Sequence, residues 1–190
     1  MTPTGNIYVA LAGVLTYPGA DYLGRVHHCV LAAPPAIAER LGRFARPLEK
    51  LTVAELQELF TQTFDLNPVC SLELGWHLFG ENYDRGLLMV RMRGEMAEHG
   101  VAESGELPDH LTHALLLLDR MERERATDFA AAILLPALEK MLNAIRGKEN
   151  PYEDLLEAVV VLVRERFPEI PQLVPAAPPA LRVLNSGAMV

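Results

Sequence analysis

The sequence predicts a single all-α domain, a helical bundle of about eight or nine helices with short loops. Along most of the 190 residues, apolar positions recur at the three- and four-residue spacing of one helix face. No segment alternates between apolar and polar residues for long enough to predict a strand. Half of the residues are hydrophobic and 22% are charged, which excludes a disordered or fibrous chain.

The first half of the chain contains five predicted helices. Apolar spacing predicts four of them over residues 5–16, 21–32, 36–44 and 72–79, each closed by proline or glycine. The remaining helix starts at Thr52, because Thr52 and Glu55 have the T-x-x-E spacing of a capping box. Its predicted inner face consists of Leu56, Leu59, Phe60 and Phe64.

Four longer helices are predicted in the second half, over residues 84–99, 108–124, 127–146 and 151–166. Asp84 is the predicted N-cap of the first. Pro108 lies in the first turn of the second, where its missing N–H is tolerated. Thr127 or Asp128 is the predicted cap of the third, which is expected to kink near Pro136.

These helices form one predicted domain, residues 1–167, followed by a Pro-rich extended tail over residues 168–190. Cys29 and Cys70 show no CxxC spacing, so we interpret them as thiols in a reducing compartment. The apolar run 7–15 follows no lysine or arginine, unlike a signal peptide. Because other apolar runs are shorter than the roughly 20 residues of a membrane span, we predict a cytoplasmic protein.

The charge balance favours a basic partner. Acidic side chains number 25 against 17 basic ones, for a net charge of −8. This excess argues against nucleic acid as the main partner, because a phosphate backbone requires positive charge. A basic peptide is the expected ligand.

Residues 63–110 are richer in mixed polar and aromatic side chains than the helices around them, a mixture that suits recognition. Met89, Met92 and Met96 share one helix face, where they are either core or an adaptable groove for a partner helix. Acidic residues in predicted turns are expected to reach a partner. The candidate partner-binding residues are Trp76, His77, Glu81, Tyr83, Asp84, Arg85, Met89, Met92, Asp109 and His110.

No catalytic motif accompanies these residues: the chain lacks a nucleophile elbow, a Walker loop and a Gly-rich dinucleotide turn. We therefore predict no enzymatic activity and no bound cofactor. His110 and His113 are spaced i, i+3 but lack the partners of a known metal motif. Two alternatives remain: a helical enzyme that binds a metal or small molecule in the His110/His113 region, and a generic helical adaptor.

The central stretch resembles the nitrate-reductase-type maturation chaperones, a branch of the redox-enzyme chaperones for molybdenum enzymes. The similarity is greatest to members that serve type II enzymes of the dimethyl sulfoxide reductase family. The residues that carry it are Thr63-Phe64-Asp65, Ser71, His77-Leu78-Phe79, Glu81, Asp84-Arg85-Gly86, Met89-Val90, His99-Gly100 and Glu106-Leu107-Pro108-Asp109-His110-Leu111.

This resemblance implies a TorD-like chaperone fold without catalytic activity. The implied partner is the apo catalytic subunit of a molybdopterin guanine dinucleotide oxidoreductase. The chaperone would hold that subunit open for cofactor insertion before export or membrane docking. Family members are thought to grip an N-terminal leader, often a twin-arginine peptide, and the acidic balance of this chain fits such a ligand.

The segment 107–110 carries three further expectations. Leu107 is expected to precede its helix as a buried staple. Asp109 in the first turn is expected to contribute only about 0.3–1 kcal/mol through the helix dipole. His110 is expected to pair with a partner group or to titrate near neutral pH.

Overall fold

The computed structural model describes residues 6–171, and these fold as an all-α bundle. The helices are α1 (Ile7–Val14), α2 (Tyr22–Ala32), α3 (Pro35–Leu48), α4 (Val53–Phe60), α5 (Leu74–Phe79), α6 (Tyr83–Glu98), α7 (Leu111–Arg120), α8 (Arg123–Phe129), α9 (Leu135–Ile145) and α10 (Tyr152–Arg166). One π-helical turn continues α4 (Thr61–Asp65), and another joins α8 to α9 (Ala130–Leu134). The described residues therefore form nine continuous helices, and the predicted fold class is confirmed.

The core lies where α1 and α10 pack against their neighbours. α1 packs against α2 and α7, while α10 packs on α3 and α9. Aromatic rings join these layers: the Phe64 centroid lies 4.8 Å from that of Tyr152 and 5.0 Å from that of Phe60. The buried hydroxyls of Tyr22 and Tyr152 hydrogen-bond each other at 2.9 Å, so neither phenol lacks a partner. This packing fixes α4 and its π turn.

The capping box of α4 is present as predicted. The Thr52 side chain accepts the Glu55 N–H at 3.3 Å, and the Glu55 carboxylate accepts the Thr52 N–H at 2.8 Å. The end of α6 also follows the prediction, because Gly100 has a φ of 63° just past the helix. The predicted inner face of α4 is buried at Leu56, Phe60 and Phe64 and partly buried at Leu59.

Two predicted caps were wrong. The Asn82 side chain caps α6 by accepting the Asp84 N–H, so Asp84 lies in the first turn. α8 begins at Arg123, and the expected caps Thr127 and Asp128 lie inside it. Thr127 forms a local bond there: its hydroxyl donates to the Arg123 carbonyl at 2.8 Å.

Prolines interrupt the helices less than predicted. α3 continues to Leu48 with Pro47 in its last turn, because Leu48 is fully buried and packing holds the chain in a helix. The kink expected near Pro136 stays a prediction, and a π turn, Ala130–Leu134, immediately precedes α9. A π turn relaxes the regular hydrogen-bond pattern close to the position where proline supplies no N–H.

Packing continues beyond residue 167. Phe167 is fully buried, Ile170 contacts the core, and Glu169 pairs with Arg123 at 3.1 Å. The rest of the predicted tail, residues 172–190, lies outside the described residues. Within the described range, no helix combines the length and apolar character needed to cross a membrane.

Candidate functional site

A short antiparallel bridge joins the loop before α5 to the loop before α7. Two main-chain hydrogen bonds of 2.8 Å link the loops and leave Glu73 and His110 directly opposed. Ser71, Glu73 and His110 line a cavity on one side of the bridge. Asp109 faces the other side. The adjacent residues Asp109 and His110 thus lie in different environments, on opposite sides of the bridge.

The first side of the bridge opens into a cavity of about 460 Å³, which we call the acidic pocket. Its apolar floor is buried, and its rim carries the carboxylates of Asp65, Glu73 and Glu106. Among residues 6–171, no lysine or arginine lines it. The lining residues are Leu15, Tyr17, Phe60, Phe64, Asp65, Ser71, Leu72, Glu73, Glu106 and His110. A ligand with both apolar and cationic groups complements this lining.

The π turn after α4 positions Phe64 and Asp65 at the acidic pocket. The Thr63 hydroxyl within this turn donates to the Leu59 carbonyl at 2.7 Å and accepts the Asn150 side-chain N–H at 2.8 Å. Asn150 belongs to the loop before α10, so the turn is held from a distant part of the chain. π turns are frequent at functional sites, where they redirect side chains.

His110 caps α7 and forms one wall of the pocket. Its Nδ1 accepts the Thr112 N–H at 3.3 Å, and α7 therefore begins at Leu111 rather than Pro108. Burial, together with the nearby His113, lowers the pKa of His110 to about 4. The expected titration near neutral pH is wrong, because the ring is neutral there. Since Nδ1 accepts a hydrogen bond, the network assigns the proton to Nε2.

His113, the second histidine of the pair considered as an alternative metal site, hydrogen-bonds to the loop before α7. Its Nδ1 lies 3.0 Å from the Leu107 carbonyl, and its Nε2 lies 2.9 Å from Ser104 Oγ. Both ring nitrogens therefore have partners within the protein. Within the described chain, His110 caps α7 and His113 fixes the loop before it.

Glu95, Glu98 and His99 at the end of α6 form a second grouping of metal-ligand types within residues 6–171. The guanidinium of Arg125 already pairs with both carboxylates, at 2.7 Å from Glu98. Arg125 thus supplies the positive charge that balances the two carboxylates. This network attaches α6 to α8.

On its second side, the bridge carries a buried ion pair. Asp109 is fully buried, and its Oδ2 accepts the Nε–H of Arg85 at 2.9 Å. The Arg85 guanidinium lies over the Trp76 ring at 5.7 Å, and Gly75 leaves the space that the carboxylate fills. The expectation that Asp109 reaches a partner from a turn is wrong. Arg85 instead contacts both Trp76 and Asp109 beside Gly75, and we call these four residues the clamp.

The other predicted contact residues lie on α5, on α6 or in the turn between them, outside the pocket lining. Glu81, Tyr83 and Asp84 are exposed, and Tyr83 retains 77% of its accessible surface. His77 is partly buried, with Nε2 2.7 Å from the Ser71 carbonyl. Its ring therefore supports the pocket wall from behind.

The methionine stripe of α6 is mainly core. Met92 and Met96 are buried, and Met89 is partly exposed. Met92 and Met121 also line a cleft of about 320 Å³ between α6 and α8. Of the two interpretations considered for these methionines, the core accounts for Met92 and Met96.

Four polar residues of the acidic pocket were missing from the predicted contacts: Asp65, Ser71, Glu73 and Glu106. Three of them, Asp65, Ser71 and Glu106, belong to the segments that carry the family resemblance. Their separation of up to about 40 positions conceals that they share one cavity. The bridge between the loops before α5 and α7 brings these residues together. Helical periodicity describes single helices, so it could not predict that these two loops pair.

A helical bundle with acidic and apolar groups side by side in one pocket has the make-up of a polypeptide-binding protein. The family model described as "Nitrate reductase delta subunit" matches residues 32–156. The chain belongs to the nitrate reductase delta subunit family.

Curated relatives agree with this assignment. The chain is similar to the nitrate reductase molybdenum cofactor assembly chaperone NarJ of Escherichia coli K12, with 29% identity over 161 residues, covering 81% of this chain and 68% of NarJ. It is also similar to the nitrate reductase-like protein NarX of Mycobacterium tuberculosis H37Rv, with 25% identity over 147 residues, covering 77% of this chain but 22% of NarX. These findings confirm the resemblance: the protein is a NarJ/TorD-like redox-enzyme maturation chaperone, not an enzyme.

Proposed function

We propose that this chaperone binds the immature catalytic subunit of a molybdenum oxidoreductase in the cytoplasm and holds it open for cofactor insertion. The client is a nitrate-reductase-type enzyme of the type II dimethyl sulfoxide reductase family that receives molybdopterin guanine dinucleotide. The similarity to NarJ, a protein named as a molybdenum cofactor assembly chaperone of nitrate reductase, supports this choice. Release for export or docking follows cofactor insertion.

The acidic pocket is the observation that carries the proposal. Its three carboxylates surround a buried apolar floor, and no lysine or arginine from the described part of the chain lines the pocket to neutralise them. A basic residue flanked by apolar ones, as in an N-terminal leader, places its charge at the rim and its apolar neighbours on the floor. Complementary charge at such a rim increases the association rate and the specificity.

Co-purification with the apo catalytic subunit tests the proposal. The subunit is expressed in cells that cannot make the molybdenum cofactor, together with wild-type chaperone or with a Glu73→Gln/Glu106→Gln variant. We expect capture by the wild type and strongly reduced capture by the variant, because two rim charges are lost.

A second double variant, Glu124→Gln/Glu165→Gln, is the matched control. It removes the same number of charges from exposed positions on α8 and α10, which do not line the pocket. It should capture the subunit like the wild type. Wild-type protein that retains no apo subunit would contradict the proposed function, and equal loss in both variants would show that only net charge matters.

A further inference from the structure

The side-chain hydroxyl of Ser71 forms no hydrogen bond within the described part of the protein. Its Oγ is buried at the acidic pocket and finds no hydrogen-bond partner among residues 6–171. The main chain of the same residue is fixed, because its carbonyl meets His77 Nε2 at 2.7 Å. A buried hydroxyl without a partner is unfavourable, so its presence in a cavity wall points to a group that arrives from outside the chain.

His110 supplies a second uncommitted group beside it. Its hydrogen bonds within the described chain use Nδ1 and lead to Thr112, 2.8 Å away at Oγ1. The proton assigned to Nε2 remains as a donor on a ring that lines the pocket. Because the ring is neutral, this donor brings no positive charge to the cavity.

The bridge aligns these groups. Ser71 and Glu73 both line the cavity, and His110 stands opposite Glu73 across the bridge. A hydroxyl, an imidazole N–H and a carboxylate thus border the same cavity. They lie above the apolar floor formed by Phe60 and Phe64.

The chemistry of the lining selects the ligand. A nucleotide or another anion is disfavoured, because three carboxylates border the cavity without a lysine or arginine. A peptide main chain is neutral and offers a carbonyl acceptor to each donor. We propose that Ser71 Oγ and the Nε2–H of His110 bind main-chain carbonyls of the client segment, while the rim carboxylates bind its basic side chain. This inference rests on the proposed function and names Ser71 as a residue that binds the client segment.

Replacement of Ser71 separates binding from stability. The probe is a synthetic peptide of the first 20 residues of the client catalytic subunit, titrated calorimetrically. For Ser71→Ala we expect a roughly three- to tenfold higher Kd, the loss expected for one uncharged hydrogen bond. The melting temperature should stay the same or rise, because no bond within the protein is lost. Ser71→Thr keeps the hydroxyl and should recover affinity.

Thr127→Val is the matched control, because it removes a hydroxyl that is bonded to the Arg123 carbonyl on α8, away from the pocket. It should lower the melting temperature and leave the Kd unchanged. A Ser71→Ala protein that melts lower and binds as tightly as the wild type would assign the hydroxyl a purely structural role and overturn the inference.

Alanine-substituted peptides distinguish main-chain from side-chain recognition. If Ser71 binds the main chain, Ser71→Ala weakens every peptide by the same factor. One peptide position whose replacement abolishes the effect would overturn main-chain binding, as would guanosine diphosphate binding that depends on Ser71. Wild-type protein that binds neither the peptide nor the apo subunit overturns the proposed function as well. If the wild type binds and Ser71→Ala binds equally tightly, this inference alone fails.

Discussion

Asp109 and His110 are adjacent in sequence, yet they act on opposite sides of the bridge. Asp109 joins Arg85 in the clamp, while His110 caps α7 and lines the acidic pocket. Resemblance alone suggested one recognition pair. Asp109 lies in the turn that ends at His110, and the two side chains have different neighbours, so substitutions at the two positions should have different consequences.

Asp109→Asn should destabilise the protein strongly, contrary to the small effect expected from its sequence position. The change leaves Arg85, whose side chain is 17% exposed, without its carboxylate. Removal of one partner from a largely buried pair reduces the free energy of unfolding by about 2–4 kcal/mol. The control is Asp84→Asn, an exposed first-turn carboxylate worth about 0.3–1 kcal/mol. Urea denaturation of both variants measures the difference, and equal small losses would contradict the clamp.

His110 should make stability depend on pH in the acidic range. The pKa of His110 is about 4 in the folded protein and about 6.5 in an unfolded chain, so only the unfolded state gains this proton between those values. The neutral ring therefore makes its full contribution to the free energy of unfolding above pH 6.5. This contribution, up to about 3 kcal/mol, is lost as the pH falls towards 4. His77, whose pKa is also lowered by burial, contributes in the same direction.

Comparison with His110→Asn isolates this contribution. Asparagine retains a side chain that caps α7 but does not titrate. Its free energy of unfolding should fall less steeply below pH 6.5 than that of the wild type. His28→Asn, which removes an exposed ring of α2, should follow the wild-type curve. Parallel curves for His110→Asn and the wild type would contradict the buried neutral ring.

Leu107 shows why side-chain roles near a helix start are hard to predict. A staple requires Leu107 to lie just before the first turn, but α7 begins at Leu111, and Leu107 is 47% exposed. Leu107→Ala should therefore cost less than the roughly 1–3 kcal/mol expected for a buried leucine, because little apolar surface is buried there. Proline signalled a helix start, whereas the side chain of His110 determined it.

Gly75 in α5 should resist replacement by alanine, although alanine favours helices. A Cβ at this position would lie 2.7 Å from Asp109 Oδ2 and 3.0 Å from both Arg85 and Leu88 side chains. We expect a loss of about 1–3 kcal/mol from overpacking, greater than the gain in helix propensity. Gly94→Ala in α6 meets no atom within 4 Å and should stabilise by about 0.5–1 kcal/mol. Thermal unfolding of the pair tests the clamp, and stabilisation by both changes would contradict it.

Helices were predictable where their signals are local, and their irregularities were not. The capping box of Thr52 and Glu55 involves neighbouring residues only, and it was predicted correctly. The π turn after α4 depends on Asn150, 87 positions from Thr63, and nothing in the local sequence indicates it. The same turn places Asp65 at the pocket, so one undetected irregularity also concealed a site residue.

The assembled pocket combines parts of the chain that local patterns treat separately. Leu15 and Tyr17 come from the end of α1, Phe64 and Asp65 from the π turn, and the bridge adds its own residues. The sequence located most of this surface within residues 63–110, but its polar and turn positions favoured residues of α5, α6 and the turn between them as contacts. Only tertiary packing brings residues 15 and 106 together.

Client affinity should fall with ionic strength through the acidic pocket rather than through net charge. The chain carries −8 overall, yet screening over about 10 Å at 0.1 M salt limits long-range attraction, so carboxylates near the bound leader dominate. Kd for the leader peptide should rise steadily from about 0.05 to 0.5 M sodium chloride. Glu73→Gln/Glu106→Gln should weaken binding at low salt and flatten this dependence, whereas Glu124→Gln/Glu165→Gln should preserve it. Apolar contacts with the pocket floor should preserve a part of the binding affinity that does not depend on salt. A pocket variant with the wild-type slope would place the leader elsewhere on the protein.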